Sequence, residues 1–98
     1  MKKDTLDHVA ICTDDIAKSV DWYTENFQCD ILYQDTSWAM IEFENVKLAL
    51  VLPEQHPFHF AILKDNVEDY GKPIKHRDGS VSVYIKDRSG NNIEILRY

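Results

Sequence analysis

The feature that most restricts what this 98-residue chain can fold into is an internal repeat. Residues 8–11 (HVAI) recur as residues 59–62 (HFAI), 51 positions later, and residues 45–51 align with residues 90–96 at an offset of 45. The second copy has therefore lost about six residues between these two points. Because two copies are too few for a stacked solenoid, the repeat predicts a pseudo-twofold pair of related modules.

The first copy has the pattern of a strand, a helix and three further strands. Side chains alternate along residues 6–13, which is the period of a strand with two different faces. Asp14 or Asp15 is suited to cap the helix that follows. The apolar stripe of that helix recurs at intervals of three or four residues, at Ile16, Val20, Tyr23 and Phe27. Three more strands are predicted, at 30–34, 38–43 and 46–52, the last two joined by a short hairpin.

The second copy repeats this order with a shorter helix. A strand is predicted at 58–63, and the segment 64–72 has room for only a turn or so of helix before Pro73. The remaining strands are predicted at 74–77, 80–86 and 92–96, separated by the turn signals Asp78-Gly79 and Ser89-Gly90. We therefore expect an α+β fold of two βαβββ modules in a single domain, 1–98. Module 1 spans about 5–52 and module 2 about 57–97, with the second helix truncated.

The alternation along the strands separates polar from apolar faces. On the last strand Ile93 and Ile95 form the apolar row, which puts Glu94 on the opposite face. On the first strand Val9 and Ile11 form the row that a helix covers, so His8 points away from the helix. If each sheet packs one face on helix and curls the other around a cavity, His8, His59 and Glu94 converge there.

Two imidazoles and one carboxylate on rigid strands make a facial triad, which binds a divalent first-row metal and leaves coordination positions open. Taken singly, a strand His is more often a hydrogen-bonded structural residue, and a Glu between two Ile is usually a solvated side chain. The joint pattern favours a site, because His8 and His59 occupy equivalent positions of the repeat and Glu94 lies on its closing strand.

Four segments that together span nearly the whole chain carry a family pattern: 6–11 (LDHVAI), 15–23 (DIAKSVDWY), 59–62 (HFAI) and 86–95 (KDRSGNNIEI). They resemble the vicinal oxygen chelate superfamily, which includes glyoxalases, bleomycin resistance proteins and extradiol dioxygenases. The resemblance implies paired βαβββ modules that form a curled mixed sheet around a metal cavity. It further implies that the metal ligands are His8, His59 and Glu94, and that metal-free relatives exist which merely bind a compound.

The chain departs from this family in two places. Glyoxalase I-like members carry a fourth protein ligand where the repeat alignment here places Ala49, and a methyl group cannot coordinate a metal. The truncated second helix is also unusual. It leaves apolar sheet surface that a partner subunit would cover, so we expect a homodimer.

The leading functional hypothesis is a metalloenzyme that acts on a small oxygenated molecule. A divalent ion, Ni, Zn, Mn or Fe, held by three protein ligands has room for two adjacent substrate oxygens. Lyase, isomerase or epimerase chemistry then follows, with Glu94 or a nearby group as the proton acceptor. Ring-cleaving oxygenation is less favoured, because dioxygenases of the superfamily are generally longer chains. The alternative is a non-catalytic protein of the bleomycin-resistance type that sequesters a small molecule.

Charge and hydropathy exclude other classes of partner. The net charge is −6, and no Lys/Arg cluster is longer than Lys2-Lys3, so nucleic acid binding is not expected. No apolar run approaches the roughly 18 residues that a membrane span needs, and no signal-peptide pattern opens the sequence. We expect a cytoplasmic protein. Cys12 and Cys29 form no CxxC motif and are interpreted as reduced, packed thiols.

Five other residues have secondary interpretations. His56 precedes His59 by three positions and is a weaker candidate for a ligand or acid/base role. His76 is interpreted as a solvated loop or edge residue. Trp38 and Met40 share strand parity and either line the cavity or, as is more common, belong to the core. Tyr84 either donates a hydrogen bond to a bound oxyanion or simply packs.

Overall fold

A computed structural model describes residues 2–98 of the chain. Within this range the chain forms one α-helix, one 3-10 turn and eight strands, which confirms the predicted α+β class. The residues divide into two compact units. The N-terminal unit comprises residues 8–58, and the C-terminal unit comprises residues 59–98 together with residues 2–7.

The elements follow the predicted order, with bounds that differ by a few residues. They are β1 (Thr5–Cys12), α1 (Ile16–Asn26), β2 (Asp30–Gln34), β3 (Trp38–Glu42), β4 (Lys47–Val51), β5 (His59–Leu63), the 3-10 turn (Val67–Tyr70), β6 (Ile74–Lys75), β7 (Val81–Lys86) and β8 (Asn92–Arg97). The largest difference is β6, which has two residues where the alternation predicts four.

The helix of the N-terminal unit begins and ends where its capping groups require. Asp15 caps the first turn, because its carboxylate accepts a hydrogen bond from the Lys18 backbone N–H at 3.1 Å. The helix ends at Asn26, so Phe27 falls outside it and is 51% exposed, contrary to its predicted place in the buried stripe. No helix among residues 2–98 has the length and hydropathy needed to span a membrane. The core beneath the helix consists of Ile16, Val20, Ala39, Ile41 and Leu50.

In the C-terminal unit the truncated helix is a single 3-10 turn, as the missing six residues predict. Val67, on this turn, is fully buried against Val83 and Ile95. A bidentate pair joins the turn to β8, since the Arg97 guanidinium donates to both carboxylate oxygens of Glu68 at 2.7 and 2.8 Å. This turn covers only part of the apolar face of β7 and β8, whose other apolar residues stay partly exposed, so the uncovered sheet surface expected beside a truncated helix is present in part.

The two units share the same strand topology and register. The strand order is β2-β3-β4-β1 in one unit and β6-β7-β8-β5 in the other, and each consists of two antiparallel pairs followed by one parallel pair. In the parallel pair of the first unit His8 lies opposite Lys47, and in that of the second His59 lies opposite Asn92. The structure thus confirms the repeat alignment residue by residue along these strands.

Candidate metal centre

A buried imidazole and a buried carboxylate lie on adjacent strands of the C-terminal unit. His59 Nε2 is 3.4 Å from Glu94 Oε1, and the two residues are 8% and 5% exposed. Ala61, opposite Glu94 in the β5–β8 register and two residues after His59, presents only a methyl group to this face. The imidazole and the carboxylate can therefore meet, which offsets the cost of burying a charged group.

The spacing of these two donor atoms suits a shared metal ion. Nitrogen and oxygen ligands lie about 2.1 Å from a divalent ion, so two of them are roughly 3.0–3.4 Å apart at octahedral to tetrahedral angles. The observed separation of 3.4 Å lies at the upper end of this range. His59 and Glu94 thus fit two neighbouring positions of one coordination sphere.

Tyr84 lies directly opposite Glu94 in the antiparallel register of β7 and β8. Its ring meets the His59 ring edge-on, with centroids 5.9 Å apart. The pKa of Tyr84 is raised to about 12, mainly by burial and secondly by the negative charge of Glu94. A hydrogen bond with Ser82 lowers this pKa in part. Tyr84 is therefore a neutral phenol at physiological pH, and it has a proton to donate toward Glu94.

A second histidine of this unit also lies near the carboxylate. His76 Nε2 is 2.6 Å from Ser82 Oγ and 4.0 Å from Glu94 Oε2. His76 lies in the turn after the edge strand β6, as predicted, but its side chain is only 35% exposed and contacts the fully buried Ser82. The signal was present in the sequence, since a hairpin about Asp78-Gly79 puts His76 on the same face as Ser82.

The remaining predicted ligand belongs to the N-terminal unit. His8 lies on β1 and is 7% exposed. Alternation along the strand puts it on the face of Ala10, which forms a buried apolar cluster with Ala49 and Val51 of β4. Of the three predicted ligands, His59 and Glu94 thus lie together within one unit, and His8 is a buried imidazole of the other.

Trp38 and Met40 lie beside this apolar cluster, on the same strand face as each other. Trp38 and Met40 pack against it and are partly buried. The Trp38 ring also stacks on Tyr33, with centroids 4.4 Å apart. Both side chains therefore contribute to packing in the N-terminal unit.

His56 and the cysteines have backbone and packing contacts. His56 is exposed on the loop after β4, where its backbone N–H donates to Leu52 at 3.1 Å. Its carbonyl accepts a hydrogen bond from the Cys12 thiol at 3.4 Å. Cys12 and Cys29 are both free thiols of intermediate exposure, consistent with the packed role predicted for them.

The comparisons with known proteins agree with this architecture. The sequence-family model of the Glyoxalase/Bleomycin resistance protein/Dioxygenase superfamily matches residues 5–76, which is most of the chain. The chain belongs to this superfamily, as the sequence pattern predicts. No curated protein matches the chain significantly.

Solved structures show the same fold at low sequence identity. A hypothetical protein from Bacillus halodurans is similar with a TM-score of 0.76 and 17% identity, over 99% of this chain and 96% of that one. A lactoylglutathione lyase from Agrobacterium tumefaciens is similar with a TM-score of 0.50 and 18% identity, over 97% of this chain and 94% of that one. At these identities the likeness concerns the fold alone.

Proposed function

We propose that this chain is a divalent-metal-dependent enzyme of the glyoxalase superfamily that acts on a small oxygenated molecule. Members of the superfamily bind small molecules. The proposed reaction is of the lyase, isomerase or epimerase type. The proposed metal ligands are His8, His59 and Glu94, and Glu94 is also the proposed proton acceptor.

The buried pair of His59 and Glu94 is the observation that carries this proposal. A carboxylate that is 5% exposed needs strong partners, and an imidazole nitrogen 3.4 Å away together with a shared ion would provide them. His8 adds a second buried imidazole to the proposed donor set. Two neutral imidazoles and one carboxylate fit Ni, Zn, Mn or Fe(II) by ligand chemistry.

A divalent ion held by this set supplies Lewis acidity, which polarises a carbonyl oxygen and makes the neighbouring C–H bond more acidic. Glu94 is suited to accept the proton, because a carboxylate has two oxygens and only one of them, Oε1, lies nearest His59. Tyr84 keeps its proton because its pKa is raised to about 12. It is therefore suited to donate a hydrogen bond to Glu94 or to negative charge on the substrate.

A second candidate function is the non-catalytic binding of a small molecule, of the bleomycin-resistance type. The observation that favours it lies in the N-terminal unit, where Ala49 offers no donor atom and is buried among Ala10 and Val51. An apolar face of this kind suits the hydrocarbon part of a ligand. This candidate requires no metal.

Metal content separates the two functions. Protein purified without added metal or chelator should carry a divalent ion, measured by plasma mass spectrometry, and Glu94→Gln should lose it. Glu42→Gln is the matched control, because Glu42 is an exposed carboxylate of β3 and should retain the ion. Wild-type protein that neither carries nor binds Ni, Zn, Mn or Fe(II) would exclude the enzyme proposal and leave the binding protein.

We further propose that the chain forms a homodimer. The exposed apolar side chains of the N-terminal unit concentrate on β2, where Ile31 and Leu32 are each 49% exposed. β2 stands at the end of the strand order, and Trp22 and Phe27 of the neighbouring helical segment are about half exposed as well. An edge strand that exposes apolar side chains favours association.

A further inference from the structure

The carboxylate of Glu94 faces two different imidazoles with its two oxygens. Oε1 is 3.4 Å from His59 Nε2, and Oε2 is 4.0 Å from His76 Nε2. Of these two imidazoles, only that of His59 belongs to the proposed ligand set. His76 Nε2 is 2.6 Å from the Ser82 hydroxyl, which occupies the one hydrogen-bonding position of this nitrogen. His76 is thus a neighbour of the carboxylate and not a fourth ligand.

A tight turn fixes the place of His76. Its backbone N–H donates to the Ser80 carbonyl at 2.8 Å, and its own carbonyl accepts from the Gly79 N–H at 3.1 Å. Asp78 closes the turn, because its Oδ1 accepts from both the backbone N–H and the hydroxyl of Ser80, at 2.9 and 2.6 Å. Gly79 adopts a φ of +89°, which favours glycine. The backbone on both sides of the imidazole is therefore held.

We infer that His76 is a positioning residue for Glu94, an inference that rests on the proposed function. Ser82, fully buried on β7, anchors the ring, and the ring holds Oε2 so that Oε1 stays turned toward His59. At 4.0 Å the contact is too long for a direct hydrogen bond, so His76 acts on Glu94 through its dipole or charge. Such outer partners fix the orientation and basicity of metal ligands.

The first test measures metal affinity by titration calorimetry with Mn²⁺ and Ni²⁺. Removing an outer partner typically lowers affinity 10–100-fold, and we expect this loss for His76→Ala and, in the same direction, for Ser82→Ala. His76→Gln should restore part of the affinity, because its amide N–H reaches a similar place. His56→Ala is the matched control and should leave the affinity unchanged, since His56 is an exposed loop histidine. The visible spectrum of bound Co²⁺ should change in His76→Ala and not in the control.

The second test needs no metal, so it distinguishes this inference from the proposed function. The melting temperatures of metal-free wild type, His76→Ala, Glu94→Gln and the double variant form a cycle. If His76 acts on Glu94, the double variant loses less than the sum of the two single losses. Additive losses, or a His76→Ala affinity equal to wild type, would overturn the inference. A wild type that binds no metal while the cycle shows coupling would overturn the proposed function and leave the link between His76 and Glu94 standing.

Discussion

Ala49 on β4 and Glu94 on β8 occupy equivalent register positions. Ala49 lies two residues after Lys47, the partner of His8, and Glu94 lies two residues after Asn92, the partner of His59. One module therefore offers a carboxylate where the other offers a methyl group. This asymmetry makes the proposed centre a three-ligand one. It also supplies the most specific substitution with which to test the repeat alignment.

We expect Ala49→Glu to change stability with opposite sign in the presence and absence of metal. Without metal, a buried carboxylate at a site that is 4% exposed should cost about 1–3 kcal/mol of unfolding free energy. With metal, the new carboxylate becomes a fourth ligand and raises affinity. Thermal melts with and without Ni²⁺ measure both effects. Ala49→Met is the control of similar size, and a loss in Ala49→Glu that is independent of metal would contradict a three-ligand centre.

The core of the C-terminal unit predicts a large loss for Val67→Ala. Val67 is fully buried against Val83 and Ile95, and the single 3-10 turn gives the sheet little other cover. Removing two methyl groups and leaving a cavity should cost about 1.5–3 kcal/mol, measured by urea unfolding. Ile74→Val, at a residue that is 53% exposed, should cost much less. Equal losses in the two variants would contradict the packing described for the 3-10 turn.

The pair of Glu68 and Arg97 predicts a pH-dependent contribution to stability. Hydrogen bonds from Arg97 lower the pKa of Glu68 to about 2. A lowered pKa in the folded state means that the contribution is complete above the ordinary pKa of 4.5 and is lost as pH falls toward 2. The melting temperature of Glu68→Gln should therefore be lower than that of wild type at pH 7, and the difference should shrink between pH 4.5 and 2. Because the pair is exposed, the difference should be small and should decrease in salt. A difference that grows on acidification would contradict this account.

The apolar edge strand predicts how a dimer would be disrupted. Leu32→Lys on β2 should shift the protein toward monomer in sedimentation velocity at micromolar concentration, because a charge blocks edge pairing. Leu6→Lys is the matched control, since Leu6 is 48% exposed and lies on β1. A monomeric wild type would exclude the homodimer. A dimer that persists in Leu32→Lys would place the interface elsewhere.

Strand faces and register could be predicted from the sequence because they depend on local alternation and on the repeat. The offset of 45 correctly aligned Lys47 with Asn92 and Ala49 with Glu94, and the missing residues correctly predicted the short 3-10 turn. Helix length was less accurate, since the extended backbone of Phe27 (φ −138°, ψ 156°) ends α1 before the apolar stripe does.

The surroundings of Glu94 could be predicted only in part. Alternation along the strands correctly put His59 and Tyr84 on the same face as Glu94, because both lie on strands of regular register. His76 follows a strand of two residues, so alternation there is a weak signal. Its distance to Glu94 depends on the turn held by Asp78 and on the bond to Ser82. These contacts join residues across the β6–β7 hairpin, and no periodic pattern encodes them.

The measurement that tests the proposed metal centre most directly is the metal-induced shift in melting temperature of wild type, His8→Ala, His59→Ala and the control His56→Ala. Binding of metal to the folded state at 100-fold excess over Kd adds about 2.7 kcal/mol to the free energy of unfolding. For a domain of this size, that raises the melting temperature by roughly 10 °C or more. We predict this shift with Ni, Zn, Mn or Fe(II) for wild type and His56→Ala, and its loss in His8→Ala and His59→Ala. Identical shifts in all four proteins would contradict the assignment of His8 and His59 as metal ligands.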